Sequence, residues 1–140
     1  MLNIEDIKKI IPQRYPFLML DRVTELKEGE YMKAYKNVSI NEDYFQGHFP
    51  SEPVLPGALI IEAMAQAACV LYKKSLPNQT ANIFYLTNIK AKFYKPVVPG
   101  DQLNIIVKIV KIVSIGGICE MEATVNNEKV AKGEITFACK

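Results

Sequence analysis

The chain has 140 residues, a length typical of a single domain, and its formal net charge is only +2. A charge balance so close to neutral argues against a dedicated nucleic-acid binder. The sequence contains a single histidine, His48, which excludes within one chain every metal site that needs two or three histidines. The three cysteines are widely spaced and form no CxxC pattern, which favours a reducing compartment over a disulfide scaffold.

The N-terminus and the apolar stretches of the chain show no signal-peptide or membrane-spanning pattern. The N-terminus, MLNIEDIKKI, contains acidic residues and lacks the apolar region of a signal peptide. The longest mostly apolar stretch, residues 58–71, contains Glu62 and Gln66 and is too short and too polar for a membrane span. We therefore expect a cytoplasmic protein with one domain over residues 1–140 and no membrane partner.

The first part of the chain predicts a short helix, a β-hairpin and an irregular segment. An amphipathic pattern over residues 3–11 predicts the helix. Apolar and β-branched residues over 17–26 and 31–40 predict two strands, joined by a turn at residues 27–30. Residues 41–55 are rich in proline and glycine, and we expect irregular backbone there.

A long helix is predicted from the Pro56-Gly57 pair to about Ser75. Proline suits the first helical turn because its missing N–H would have no intrahelical acceptor. Two lysines favour the negative end of the helix dipole, and Pro77 prevents continuation. Because the helix is apolar almost all round, we expect it to be buried.

After the helix the hydrophobic period changes to two, which is typical of strands. The predicted strands are residues 82–94, 102–113, 118–125 and 130–139, and the predicted turns are Pro99-Gly100, Gly116-Gly117 and Asn126-Asn127. The fold class is therefore α+β: a long central helix, about residues 57–75, wrapped by an antiparallel sheet of five to six strands. Such a sheet leaves an edge and an apolar margin, so we expect at least a dimer.

Three features near the helix start predict acid–base chemistry. His48 lies in GHFPSEPVLPGALIIEAMAQ, eight residues before Pro56, and is the one imidazole available as a base. Amides at Gly57 carry the positive end of the helix dipole and can stabilise charge on a carbonyl oxygen. Glu62 has apolar neighbours, which should raise its pKa and make it an acid. Together they suit proton abstraction beside a carbonyl.

Each feature also has a structural interpretation. A single histidine before a helix can be an ordinary polar loop residue, and Glu62 can lie at an exposed corner of its helix. The Pro-Gly pair is frequent at helix starts without any catalytic role. The residues alone leave these alternatives open.

Three sequence blocks resemble the (3R)-hydroxyacyl-acyl-carrier-protein dehydratases of bacterial fatty-acid synthesis. They are IPQRYPFLMLDRV at residues 11–23, YFQGHFPSEPVLPGALIIEAMAQ at 44–66 and KFYKPVVPGDQL at 92–103. The resemblance covers essentially the whole chain and implies the hot-dog fold, a sheet wrapped around one long helix. It also implies removal of water from a 3-hydroxyacyl thioester to give a trans-2-enoyl thioester, with no metal and no other cofactor.

The resemblance also implies roles for individual residues. His48 matches the family's base for the C2 proton, and Glu62 matches the acid that assists departure of the C3 hydroxyl. Gly57 matches the residue whose N–H polarises the thioester carbonyl. We expect further substrate contacts from Phe49, Pro56 and Val54. In the related dehydratase/isomerase branch an aspartate stands at the position of Glu62, so this glutamate favours the dehydratase-only branch.

Partners follow from the same resemblance. The substrate is attached to an acyl carrier protein, and Lys90, Lys92 and Lys95 are candidates to contact that acidic protein. In the family two protomers share each active site, and dimers often assemble into a hexamer. Phe84 or Tyr85 is a candidate gate for the acyl tunnel. Lysines are also common on the exposed face of a strand, and aromatic residues are also common on its core face, and this ordinary interpretation applies to both sets.

Two other functions compete with the dehydratase. A thioesterase of the same fold would hydrolyse the thioester and release free thiol. A non-catalytic module would bind acyl thioesters without converting them, but it has no evident need for both His48 and Glu62. Formation of an enoyl group with the thioester intact distinguishes the dehydratase from both.

Overall fold

Two α-helices and six strands form the framework in a computed structural model, which describes residues 1–140. In chain order the elements are α1 (Ile4–Ile10), β1 (Arg22–Lys27), β2 (Tyr31–Asn37), the 3-10 helix η1 (Asp43–Gln46), α2 (Gly57–Ser75), β3 (Phe84–Phe93), β4 (Gln102–Val113), β5 (Gly116–Val125) and β6 (Glu128–Cys139). The strands form one sheet in the order β1-β2-β4-β5-β6-β3, with every pair antiparallel. The α+β prediction is therefore confirmed, with six strands and with β1 and β3 at the edges.

The long helix α2 lies against the sheet and buries ten of its nineteen residues. Every residue from 66 to 72 is buried, so this half of α2 is covered on all sides. The facing strands contribute alternate side chains, including Leu103, Ile105 and Val107 of β4. Each fully buried Leu or Ile stabilises the fold by roughly 1.5–3 kcal/mol. The predicted burial of this helix is confirmed over its C-terminal half.

The N-terminal half of α2 differs because one face is only partly covered. Ala58 is exposed, and Ile61, Glu62 and Ala65 are half-buried. Residues separated by three, four and seven positions lie on the same side of a helix, so these four form one face, which we call the open face of α2. Neither helix of the chain has the length and hydropathy of a membrane-spanning segment.

The short helix α1 has the predicted extent. Asn3 caps it: the Asn3 side chain accepts from the Asp6 N–H, and the Asp6 carboxylate accepts from the Asn3 N–H, both at 3.0 Å. This reciprocal pair satisfies two amides that the helix itself cannot. Ile7 is fully buried and fixes α1 against the core.

The prediction of a strand over residues 17–26 is wrong in its first part, because β1 begins only at Arg22. The backbone of Phe17 and Met19 bonds instead to the side chain of Gln66 on α2. Met19 and Leu20 are nevertheless buried, which explains the apolar pattern. The predicted strand over residues 31–40 also ends early, at Asn37.

The turns agree with the sequence only in part. Asn126 and Asn127 have φ values of 50° and 64°, as the hairpin turn between β5 and β6 requires, so this prediction is confirmed. The Gly116-Gly117 prediction is wrong: both glycines belong to β5, and the turn is formed by residues 114–115. Gly116 has φ +153°, and a Cβ there would collide with the carbonyl oxygen of Phe137. Close approach between strands therefore explains this glycine.

Candidate active site

The His48 loop, residues 47–55, is closed by one backbone hydrogen bond between its two ends and joined to η1 by another. The His48 N–H donates to the carbonyl of Tyr44, and the Val54 N–H donates to the carbonyl of His48, both at 3.0 Å. The ring atom Nδ1 of His48 lies 2.8 Å from the Val54 carbonyl oxygen. A carbonyl can only accept, so Nδ1 carries the proton in this bond. The other ring nitrogen, Nε2, then has a free lone pair in the neutral ring and can act as a base.

The middle of the His48 loop is a tight backbone turn. Phe49 and Glu52 exchange two backbone hydrogen bonds, each 3.1 Å long. The Phe49 ring is half exposed and stacks on the His48 imidazole, with ring centroids 4.0 Å apart. The peptide bond between His48 and Phe49 is cis. The imidazole is thus held both by its Nδ1 hydrogen bond and by an aromatic neighbour.

A partly buried polar cluster of Lys36, Glu42 and Tyr44 holds the chain just before the His48 loop. Lys36 of β2 is 5% exposed, and its ammonium lies 2.5 Å from a carboxylate oxygen of Glu42. The Tyr44 hydroxyl donates to the other carboxylate oxygen. Burial, and then the Glu42 carboxylate, raise the pKa of Tyr44, so this hydroxyl stays a donor. Since an unpaired buried lysine would be costly, the cluster ties η1 firmly to β2.

The start of α2 lies beside the same loop. The Pro56 carbonyl accepts from the N–H groups of Leu59 and Ile60, at 2.9 and 3.1 Å. The Gly57 N–H precedes these first intrahelical bonds, so it is one of the free amides at the positive end of the helix dipole. It is available to an oxygen that carries negative charge.

A cavity of about 320 Å³ opens at this helix start, and we call it the Gly57 cavity. It is lined by Val54, Leu55, Gly57, Ile60, Phe93, Tyr94, Lys95, Pro96 and Val97. The Phe93 ring covers Gly57 so closely that a Cβ at this position would lie 3.1 Å from the ring atom Cζ. The absence of a side chain at Gly57 therefore keeps space between the helix amides and Phe93.

Glu62 is half-buried on the open face of α2. Burial raises its pKa above the ordinary value, and a hydrogen bond from Gln66 partly opposes this shift. The bond joins Gln66 Nε2 to Glu62 Oε2 at 2.8 Å. A carboxyl in this environment holds its proton to higher pH than an exposed glutamate and is suited to act as an acid.

The predicted site residues fall into two groups within one chain. Val54 and Gly57 line the same cavity, and His48 is bonded to Val54. Glu62 bonds instead to Gln66, farther along α2. The base with its amide donors and the acid therefore belong to separate hydrogen-bonded groups.

The candidate gate residues lie near the other end of α2. Phe84 packs edge-on against Tyr72, with ring centroids 6.2 Å apart. Tyr85, the next residue of β3, is half exposed, and the Lys140 ammonium lies 5.9 Å from its ring centroid. Neither aromatic lines the Gly57 cavity. Their role as a gate stays a prediction.

The three candidate lysines are exposed and differ in their contacts. Lys90 and Lys92 of β3 border a depression of about 850 Å³ on the outer face of the sheet, together with Lys132. None of the residues lining that depression comes from the His48 loop or α2. The Lys92 ammonium also lies 5.6 Å from the ring centroid of Tyr94, which lines the Gly57 cavity. Lys95 lines the cavity itself and forms an ion pair with Glu128.

Two residues that contribute to the site were not singled out from the sequence. Gln66 follows Glu62 by four positions, so the spacing alone places the two side chains on the same face of a helix, and this signal could have identified it. Phe93 is separated from Gly57 by 36 positions, and nothing local in the sequence indicates its contact.

Comparison with known proteins gives a consistent result. The family model described as a FabA-like domain matches residues 11–134. A protein of Clostridium botulinum (strain Okra) named 3-hydroxyacyl-[acyl-carrier-protein] dehydratase FabZ is 48% identical, covering 97% of this chain and 94% of its own. A protein of the same name from Oceanobacillus iheyensis is 46% identical over the full length of both chains.

Solved structures share the fold at low sequence identity. A chain of the dehydratase heterocomplex ApeI:P from Xenorhabdus doucetiae superposes with a TM-score of 0.80 at 18% identity, covering 96% of this chain and 90% of its own. A hypothetical thioesterase from Streptococcus pneumoniae superposes with a TM-score of 0.66 at 10% identity, covering 85% and 84%. These likenesses show the expected architecture of a sheet around one helix.

The raised pKa of Glu62 predicts a pH-dependent effect on stability. Between the ordinary pKa of 4.5 and the raised folded-state pKa, the folded protein binds more protons than the unfolded chain. The free energy of unfolding therefore falls as pH rises through this window and stays lower above it. Glu62→Gln cannot ionise, so its stability relative to the parent should increase with pH across the window, as measured by urea unfolding. The same change at exposed Glu28 is the control, and an equal pH trend in both variants would contradict the assignment.

Proposed function

Because this chain belongs to the FabA-like domain family, we propose that it is a dehydratase of (3R)-hydroxyacyl chains carried on acyl carrier protein in fatty-acid synthesis. The near-full-length similarity to proteins named as FabZ dehydratases supports this substrate and reaction. The observation that carries the proposal is the hydrogen bond between His48 Nδ1 and the Val54 carbonyl. It leaves Nε2 of the single imidazole as a base beside the free amides of α2.

The reaction needs one base and one acid. His48 Nε2 removes the proton from C2 of the substrate, and the C2–H electron pair forms the C2–C3 double bond. As the double bond forms, the C3–O bond breaks and its electron pair leaves with the oxygen. The hydroxyl takes a proton from Glu62 and departs as water. Return of a proton from His48 to Glu62 through solvent restores the starting state. The thioester bond stays intact throughout.

The start of α2 stabilises the charge that develops during proton removal. As the C2 proton leaves, negative charge grows on the thioester oxygen. In this proposal the Gly57 N–H, at the positive end of the dipole of α2, donates to that oxygen. A single preorganised donor of this kind contributes about 3–4 kcal/mol to transition-state stabilisation. Val54 lines the cavity at Gly57, Pro56 directly precedes Gly57, and Phe49 stacks on the His48 ring, and we expect all three to contact the substrate.

We propose further that each site is shared between two copies of the chain. Glu62 lies on the open face of α2, which the single chain covers only in part. The edge strand β3 is ten residues long and carries exposed Tyr85, Leu86 and Phe93. A long exposed edge of this kind pairs readily with another strand. Pairing of β3 with β3 of a second copy would cover both surfaces and bring Glu62 of one copy to His48 of the other.

The acyl carrier protein docks, in this proposal, beside the Gly57 cavity. Lys92 stands next to Tyr94 at the edge of that cavity, and Lys132 is its register partner on β6. Lys90 has Glu134 opposite it, and Lys95 is paired with Glu128, so these two have acidic neighbours. Lys132 in turn has Glu122 opposite it on β5, so Lys92, which has no acidic register partner, presents the least compensated positive charge to an acidic partner.

The first test measures both products that distinguish the competing reactions. With a 3-hydroxyacyl thioester of acyl carrier protein, we expect enoyl absorbance to rise without release of thiol. His48→Ala and Glu62→Ala should each lower kcat by roughly 10²- to 10⁴-fold, because each removes one proton-transfer group. Circular dichroism checks that both variants stay folded. Release of thiol without enoyl formation would identify a thioesterase and reject the proposal.

The second test addresses the shared site. His48→Ala and Glu62→Ala copies, mixed under conditions that exchange subunits, should recover activity because a mixed dimer contains one intact site. Sedimentation velocity gives the size of the assembly and separates a dimer from a hexamer. The control is a mixture of separately tagged His48→Ala copies, which should stay inactive. A mixture that remains inactive despite proven exchange would show that each site lies within one chain.

The third test concerns docking of the carrier protein. Lys92→Glu should raise KM for the carrier-protein substrate several-fold at low salt, with kcat little changed, since a charge at an interface rim acts mainly on association. Activity on a short pantetheine thioester should stay at the parental level. Lys9→Glu, the same charge reversal on exposed α1, is the matched control. Equal KM values for the two variants would place the carrier protein elsewhere.

A further inference from the structure

Gln66 occupies an unusual position for a polar side chain. It is fully buried in α2, one helical turn beyond Glu62, and is 0% exposed. Its Oε1 accepts from the Met19 N–H at 2.8 Å. Its Nε2 donates to the Phe17 carbonyl at 2.7 Å and to Glu62 Oε2 at 2.8 Å. Both amide hydrogens are therefore used, and the carbonyl oxygen has a donor.

The backbone decides which way this carboxamide faces. An N–H can only donate and a carbonyl can only accept, so Met19 must face the oxygen of Gln66 and Phe17 must face the nitrogen. A flipped carboxamide would leave the buried Met19 N–H without an acceptor, at about 1–3 kcal/mol, and would turn the carboxamide oxygen toward the Phe17 carbonyl oxygen. The second N–H of Gln66 is therefore held toward Glu62 by residues 17–19, which are distant in sequence.

A fixed N–H donor imposes a difference between the two oxygens of the Glu62 carboxyl. The oxygen facing Gln66 must present a lone pair, so it cannot carry the proton of the neutral acid in that direction. From this geometry we propose that Gln66 is a positioning residue that holds Glu62 Oε2 as an acceptor and assigns proton delivery to Oε1. This inference rests on the proposed dehydration, in which Glu62 supplies the proton to the departing hydroxyl.

Gln66 also limits how weak an acid Glu62 becomes. Burial disfavours the carboxylate, whereas the Gln66 N–H stabilises it, and no charged side chain is among the causes of the shift in its pKa. Removal of this donor should therefore leave burial unopposed and raise the pKa of Glu62 further. Gln66 therefore orients the acid and also offsets part of the effect of burial on its pKa.

Two variants separate the donor from the rest of the side chain. Gln66→Met removes both donor and acceptor at similar volume. Gln66→Glu keeps an acceptor for Met19 but replaces the nitrogen that faces Glu62 with an oxygen. Tyr72→Phe is the matched control, because it removes another hydrogen-bonded polar group of α2 without touching Glu62: the Tyr72 hydroxyl donates to the Val113 carbonyl at 2.7 Å and accepts from Gln79 Nε2 at 2.9 Å and from the Cys139 thiol. Urea unfolding compares the stability lost in the three variants.

The decisive measurement is a direct titration of Glu62 in protein labelled with ¹³C at glutamate Cδ, with the resonance assigned by Glu62→Gln. We expect the midpoint to move to higher pH in Gln66→Met and Gln66→Glu and to stay in place in Tyr72→Phe. The Gln66 side-chain amide resonances should shift with the same midpoint in the parent and lose that response in Glu62→Gln. This comparison of the parent with Glu62→Gln leaves Gln66 intact, so it needs no substitution of a fully buried residue.

Turnover supplies the second readout. Gln66→Met should lower kcat by roughly 10- to 100-fold with little change in KM, because a misdirected acid affects the chemical step more than binding. A titration midpoint unchanged in both Gln66 variants, or a kcat equal to that of Tyr72→Phe, would overturn the inference. If the parent protein forms no enoyl product, the proposed function fails, and the titration still decides whether Gln66 holds Glu62.

Discussion

Burial of α2 against the sheet is the constraint that shapes both the fold and the site. An apolar helix nineteen residues long must be covered, and the strands contribute alternate side chains to cover it. Polar groups on such a helix need partners, because an unsatisfied buried polar group costs about 1–3 kcal/mol. Gln66 meets this requirement with three hydrogen bonds, and Glu62 receives one of them. The hydrogen bond that Glu62 accepts is thus a consequence of how the buried polar group of Gln66 finds its partners.

The base is controlled in a different way, by a loop that is closed on itself. The Val54 carbonyl fixes the imidazole tautomer, and the Lys36–Glu42–Tyr44 cluster fixes the chain that leads to His48. The same loop runs directly into Pro56 and the amides of α2. One continuous segment of a single chain therefore holds both the base and the amide donors. The acid lies in the other hydrogen-bonded group, on the open face of the helix.

Much of the fold follows from local signals in the sequence. The bounds of α2 and β4 were predicted because proline, lysine and an unbroken apolar period mark them. The irregular backbone of residues 17–21 is not predicted, because Met19 and Leu20 are buried without strand pairing. The backbone of this segment bonds to the Gln66 side chain instead. In the site, residue types and spacing pointed to His48, Gly57 and Glu62. The Val54 hydrogen bond and the Phe93 contact depend on how the chain folds back, which local periodicity does not encode.

The division of the site between two hydrogen-bonded groups has a thermodynamic consequence. A half-buried glutamate with a raised pKa lowers the stability of the separate chain near neutral pH, since its ionisation is resisted. A second copy that covers the open face removes more water from this carboxyl and strengthens that resistance, which favours the protonated acid required for dehydration. The same contact buries apolar surface of α2 and β3, which offsets the electrostatic cost. In the proposed dimer, association and activation of the acid are therefore coupled. In an isolated chain, His48 would lack the Glu62 of a second copy that serves as its acid.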